Sequence, residues 1–306
     1  RAGIARYAAI SLLPCESREC FSSQHAADGL GTIDTPERWL AYRIASDSAF
    51  KELHRPMASN NLVVKALRRA KRIVTSYCPP WRLRRQILDV LPRSGRGLDE
   101  WVVADVGANL GQTALQMRWA LRGVARPIIH CFEPFAENYA TLQANTSRHS
   151  CIHTHRMAMG EREASMSIAL SPQSQWHSIA NQDQWRARAG ACEEIEVSTL
   201  DAFAGREGIE RIAILKTDTE GYDLEVLRGA RSLLESHRIG AVICEVGFNP
   251  EDKQHTFFPG VFSYLLDRGY RLYLVDDQIV YRSPMWGGVP SVGYANAWFV
   301  APKSGR

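Results

Sequence analysis

From residue 99 onward, short apolar runs alternate with stretches whose apolar positions recur at helical spacing. The runs are Trp101–Val106, Ile128–Phe132, Ile212–Thr217 and Ile239–Val246; the helical stretches that follow them are 111–122, 135–147, 221–235 and about 259–268. Tyr270–Val275 and Ala297–Val300 complete the pattern. Val102-Val103-Ala104 carries almost no polar residue, as a strand covered on both faces requires. Strands alternating with helices predict a mainly parallel sheet with helices on both faces, an α/β fold.

Residues 1–97 follow another pattern. Residues 1–35 show no periodicity, and a helix start is legible at Thr35-Pro36-Glu37, with apolar Trp39, Leu40, Ile44 and Phe50 behind it. Further helices are expected at about 59–76 and 81–91, separated by Cys78-Pro79-Pro80. The Pro92–Gly97 stretch reads as a boundary between a mainly helical N-terminal extension, 1–97, and an α/β domain, 98–306.

Composition changes this picture little. The chain has 306 residues, 45% hydrophobic and 23% charged, with a net charge of +4 that predicts no nucleic-acid partner by itself. A basic run, Arg68, Arg69, Lys71, Arg72, Arg82, Arg84 and Arg85, reads first as a solvated helix face and second as a patch for an acidic partner. Seven dispersed cysteines without a C-x-x-C pair argue against zinc or redox chemistry and for a reducing, cytoplasmic setting. No run reaches the ~18 apolar residues of a membrane span. The first residue is Arg, so removal of a targeting segment stays open.

Three strand ends carry candidate chemistry. Asp105-Val106-Gly107-Ala108-Asn109-Leu110-Gly111 joins the first strand to a helix, where glycines permit a tight turn and the helix end offers unpaired N–H groups. This is G-x-x-x-G with an acid before it, and not the G-x-G-x-x-G of dinucleotide sites. Asp105 would repel a pyrophosphate but suits a cation. Glu133-Pro134 ends the next strand, where a carboxylate can accept hydrogen bonds from ribose hydroxyls. Lys216, Asp218 and Glu220 cluster at the end of 212–217, before Gly221.

These blocks resemble the FkbM-type family of S-adenosylmethionine-dependent methyltransferases. The resemblance rests on Asp105–Gln112, Phe132-Glu133-Pro134 with Asn145, Ser198-Thr199-Leu200-Asp201, Lys216–Gly221, Glu225–Ala230, Ile243–Val246 and Gly269-Tyr270, in the family's order over about 100–300. It implies a Rossmann-like class I methyltransferase fold, with seven mostly parallel strands and one antiparallel strand near the C-terminus. It also implies S-adenosyl-L-methionine as cofactor and methyl transfer to a hydroxyl of a sugar or secondary metabolite, a small-molecule or glycan acceptor. By the same resemblance Asp105, Gly107, Ala108, Asn109 and Gly111 would surround the methionine part, Glu133 and Pro134 the ribose, and Ala158 the adenine. Asp218 and Glu220 would stand between cofactor and acceptor.

A hydroxyl acceptor must lose its proton, which calls for a base. Asp218 and Glu220 rank first because strand ends are rigid, ahead of Glu245 and the loop histidines His177 and His255. No residue spacing marks a metal site. Trp176, Trp185, Phe248, Phe257, Phe258, Trp286 and Tyr294 lie in segments that an acceptor sugar could stack on. Alternatives are a nucleic-acid or protein methyltransferase, a nucleotide-dependent oxidoreductase, or a binding module without catalysis. Residues 1–97 are free to act as a lid, a partner-binding element or a homodimer arm.

Overall fold

The computed structural model describes residues 80–91, 99–169, 192–252, 254–282 and 290–302. The helices expected from Thr35 and at 59–76, the Pro92–Gly97 stretch, His177, Trp176, Trp185 and Trp286 lie outside the described residues. All described residues fall in one compact unit beginning at Val74.

The chain enters with helix α1 (Pro80–Val90) and strand β1 (Asp99–Val106). Then come α2 (Gln112–Ala120), β2 (Ala125–Phe132), α3 (Ala136–Thr146) and β3 (Ile152–His155). Like β3, the three strands that follow were not foreseen in the pattern: β4 (Ala158–Met159), β5 (Ala164–Ala169) and β6 (Cys192–Ser198). The chain returns through α4 (Leu200–Glu207), β7 (Ile212–Thr217), α5 (Asp223–Arg228), α6 (Arg231–Glu235) and β8 (Ile239–Gly247). It closes with β9 (Thr256–Phe257), α7 (Phe258–Leu266), β10 (Arg271–Arg282) and β11 (Pro290–Val300).

The main sheet has the order β3-β2-β1-β7-β8-β11-β10, with the short β9 paired to β8. Strands β3, β2, β1, β7 and β8 run parallel, while β11 is antiparallel to both neighbours. This is the arrangement the resemblance implies: seven mostly parallel strands with one reversed near the C-terminus. Successive side chains alternate between two cores, as a strand period of two dictates. Val103, Ile214 and Ile243 join Met117, Leu121 and Leu142 on one face. Ala104, Leu215 and Val242 join Phe203, Leu227 and Leu265 on the other.

Helix α1 buries Leu83 and Ile87 in the first of those cores, beside Trp101 and Met117. It therefore packs as part of the sheet's own unit, ahead of the boundary placed at Gly97. Two arginines of the basic run fasten it. Arg82 and Gln86 bond the Asp276 carboxylate, and Arg84 donates to the carbonyls of Ala120 and Arg122 behind α2. The run is thus, at these two positions, neither a purely solvated face nor a patch for a partner.

The helix expected over 221–235 is two helices, broken at Gly229-Ala230. A Cβ on Gly229 would lie 1.9 Å from the Gly160 carbonyl oxygen, so the chain must pass bare at that point. Asp201 then caps α6, its carboxylate accepting from the N–H groups of Ser232 at 2.7 Å and Leu233 at 3.0 Å. Thr199 caps α4 in the same way through the N–H of Ala202. The Ser198–Asp201 and Glu225–Ala230 blocks thus serve packing rather than chemistry.

Candidate functional site

The chain runs from β1 outward to β2 and β3, then back across to β7 and β8 on the other side. The gap between β1 and β7 is therefore a point where strand order reverses, the place where open α/β sheets bind ligands. A cavity of about 280 Å³ lies there, walled by the loops after β1, β2, β7 and β8 and by β11.

On the β1–β2 side, Gly107 and Asn109 take positive φ and turn the chain over the strand end. The N–H groups of Gly107 and Ala108 both donate to the Phe132 carbonyl, 3.0 Å each. The buried Glu133 carboxylate accepts from the N–H of Asn109 at 3.0 Å and of Phe135 at 3.2 Å. Burial pushes Glu133 up to about 7, against the pull of those N–H groups and of the Asn138 amide. Asn145 donates to the Leu110 carbonyl at 2.8 Å and ties the loop to α3. Phe132, Pro134, Ala158 and Met159 give this side an apolar floor.

The β7–β8 side is built from charge. Lys216 is buried, with its Nζ 3.1 Å from Asp218 Oδ2. Burial works against that ammonium, but Asp218, Glu245 and Asp105 outweigh it and hold Lys216 well above its ordinary range. Burial and then the Asp218 charge push Glu245 well up, and the two carboxyl groups share a hydrogen bond. Burial, followed by the charges of Asp218, Asp223 and Asp252, raises Glu220 to about 8. His255 packs flat on Tyr294, with ring centroids 4.2 Å apart, and its Nδ1 lies 2.7 Å from Asp252 Oδ2.

Of the residues singled out in the sequence, Gly107, Ala108, Asn109, Glu133, Pro134, Ala158, Asp218, Glu220 and His255 all line this cavity. Asp105 and Gly111 are not on its wall. Asp105 is 1% exposed, beside Lys216 in the sheet register, and burial lifts it to about 7 while Lys216 pulls it back. Gly111 carries no side chain because a Cβ there would lie 2.8 Å from Leu142, so it serves the approach of α2 to α3. Asp252 and Asn296 were not singled out. Each lies in a stretch with no motif of its own, and only the fold brings them to the site.

The sequence model of the family described as the methyltransferase FkbM domain matches residues 105–272, which hold every strand end described above. The chain belongs to the FkbM methyltransferase family. It is 30% identical over 149 residues to Methyltransferase 1 of Beauveria bassiana (strain ARSEF 2860), covering 43% of this chain and 59% of that protein. A methyltransferase FkbM structure from Methylobacillus flagellatus KT aligns with TM-score 0.44 and 18% identity, over 85% of this chain and 60% of that one. Aeropyrum pernix fibrillarin, solved with S-adenosyl-L-methionine, aligns with TM-score 0.37 and 13% identity, over 72% and 76%. Likeness of that degree decides nothing about what this chain binds. The chain spans about three fifths of the length of these first two relatives.

The cavity wall of the FkbM domain carries Glu133, Asp218, Glu220 and Glu245 against one ammonium, Lys216. Buried Asn109 Oδ1, Thr219 Oγ1 and Asn296 Oδ1 have no hydrogen-bond partner among the described residues. Carboxyl groups, unpaired acceptors and an apolar floor together suit a ligand that is rich in donors and aromatic at one end. No described helix is long and apolar enough to cross a membrane.

Proposed function

We propose that this chain is an S-adenosylmethionine-dependent O-methyltransferase whose acceptor is a hydroxyl of a sugar or another small secondary metabolite. The observation that carries the reading is a buried Glu133 carboxyl group beside an apolar floor in a cavity at the β1–β7 crossing. The residues fit the cofactor: ribose hydroxyls have the Glu133 carboxylate, adenine has the Phe132, Ala158 and Met159 floor, and the unpaired Asn109 oxygen faces donors. When bound, the cofactor supplies an electrophilic methyl group on a positively charged sulfur.

The chain's own residues hold, orient and dehydrate the partners, which for an in-line displacement is most of the catalysis. Asp218, locked to Lys216, sets the charge of the cavity between cofactor and acceptor. Glu220, raised to about 8, is mostly protonated at neutral pH and can donate a hydrogen bond to an acceptor oxygen. Arg82 and Arg84 of the basic run are already engaged within the fold and so are not offered to a nucleic-acid backbone.

Isothermal titration with S-adenosylhomocysteine, using NAD as the control ligand, tests this reading. Micromolar binding of S-adenosylhomocysteine alone is expected. Binding of NAD alone, or of neither ligand, contradicts it.

A further inference from the structure

The wall formed by β8, β11 and the loop after β8 holds a side-chain arrangement that the cofactor reading does not use. His255 projects from that loop into the cavity with only 9% of its side chain exposed. Its Nδ1 meets Asp252 Oδ2 at 2.7 Å, while the other oxygen, Asp252 Oδ1, accepts the N–H of Gln254 at 2.8 Å. The ring lies flat against Tyr294 of β11. Its second nitrogen, Nε2, lies on the Glu245 side, 3.8 Å from Glu245 Oε2. Among the described residues, Asp252, Glu245 and Tyr294 are titratable groups that face the ring.

The backbone is built to keep the ring there. Strand β9 begins at the next residue, Thr256, and pairs with Val246 of β8. Thr256 exchanges hydrogen bonds with Asp223, accepting its N–H at 3.2 Å and donating to its carboxylate at 3.0 Å. A Cβ on Gly247 would lie 2.9 Å from the Cβ of His255, so β8 carries no side chain where the loop presses on it. Asn296, two residues along β11 from the ring's platform and opposite Glu245, leaves a buried oxygen without a partner among the described residues.

We propose that His255 is the proton acceptor for the methyl acceptor's hydroxyl, with Asp252 as the residue that fixes its tautomer. This rests on the cavity being a methyl-transfer site. A carboxylate at Nδ1 keeps the proton on that nitrogen and leaves the Nε2 lone pair facing the cavity. As the acceptor oxygen forms its new bond to carbon, the carbon–sulfur bond breaks with its electron pair going to sulfur, and the hydroxyl proton passes to Nε2. The imidazolium so formed is stabilised by the Asp252 carboxylate at its Nδ1. The rival bases are compromised: Asp218 is held by Lys216, and Glu220 is largely protonated at neutral pH. Asn296 is placed to accept a hydrogen bond from a further donor of the acceptor.

The test that needs no acceptor is nitrogen NMR of the full, 15N-histidine-labelled chain, with and without S-adenosylhomocysteine. His255 is expected as the Nδ1–H tautomer in the wild type, with that form falling below half in Asp252→Ala. An Nε2–H tautomer in the wild type, or no change in Asp252→Ala, overturns the proposal. Labelled-methyl transfer to a panel of hexose methyl glycosides adds a second reading. On any acceptor the wild type uses, His255→Gln should lose about 10²–10⁴-fold in kcat, with S-adenosylhomocysteine affinity kept within twofold. Retained turnover in His255→Gln would also overturn it. Absence of S-adenosylhomocysteine binding to the wild type would strike the methyltransferase reading instead, leaving the tautomer result to judge His255 on its own.

Discussion

The two sides of the cavity are made in different ways. The β1–β2 side comes from contiguous chain: Gly107 to Asn109 and Glu133 to Phe135 meet through backbone hydrogen bonds, and the one deeply buried acid there accepts two N–H groups. The β7–β8 side is assembled from distant segments, with Lys216, Glu245, Asp252, His255 and Asn296 drawn together by strand order. Its geometry is held by charge and ring stacking. A shape fixed by backbone suits a ligand common to a family, whereas one fixed by scattered side chains can vary with the acceptor without disturbing the fold.

The largest effect is expected where the second side depends on a single cation. Lys216→Met removes the buried ammonium that Asp105, Asp218 and Glu245 face, and removing one member of a buried charge network costs about 3–5 kcal/mol. Urea unfolding measures it, and a loss below about 1 kcal/mol would show that charge does not hold this side together. The next effect lies where the sides abut. A Cβ on Gly107 would fall 1.9 Å from the Asp218 carbonyl oxygen, at φ +78°, so Gly107→Ala must part the β1 and β7 loops. A cost of at least about 2 kcal/mol is expected from strain of this kind, and a neutral thermal melt would refute the close contact.

A smaller effect is expected with pH. Asp105 and Glu133 are raised to about 7 and Glu220 to about 8, all above the 3.8 and 4.5 of free carboxyls. In the folded chain these groups hold protons that the unfolded chain has released, so stability must fall as pH rises through 7 to 8. His130, lowered to about 4 by burial and by the neighbouring His155 and His153, acts in the opposite sense, but only below its ordinary 6.5. Between pH 6.5 and 8.5 the melting temperature should therefore drop by at least about 2 °C. Glu220→Gln should remove the upper part of that slope, and an unchanged slope would mean that Glu220 is not buried among the other acids.

The same contrast explains what the sequence made legible. Strands β1, β2, β7 and β8 and the Gly107–Gly111 turn could be read because apolar runs and turn residues are local signals. Strand β3, Ile152-His153-Thr154-His155, carries one apolar residue and gave no such signal. The acid at Glu133 followed from its place at a strand end. Strands β10 and β11 extend well beyond 270–275 and 297–300, because Asp276 and Asn296 interrupt the apolar pattern while register shifts keep the pair together. The sheet of β4, β6 and β5 was not anticipated, although Glu194-Ile195-Glu196-Val197 of β6 and Ala164-Ser165-Met166-Ser167-Ile168 of β5 both alternate. Gly111 and Asp105 read as ligand residues from the motif alone, yet one serves helix packing and the other the buried charge network. Asp252 carried no signal, since an acid three residues before a histidine in a loop gains meaning only when Gly247 lets that loop close on β8.

The most direct test of the account is a side-by-side titration of S-adenosylhomocysteine into the wild type, Glu133→Ala and His255→Gln. If the sides divide the work as described, Glu133→Ala loses about 10–100-fold in affinity, the worth of hydrogen bonds to a charged group, while His255→Gln binds within twofold of the wild type. Undiminished binding by a folded Glu133→Ala, or a comparable loss in His255→Gln, would contradict the division of the cavity into a cofactor side and an acceptor side.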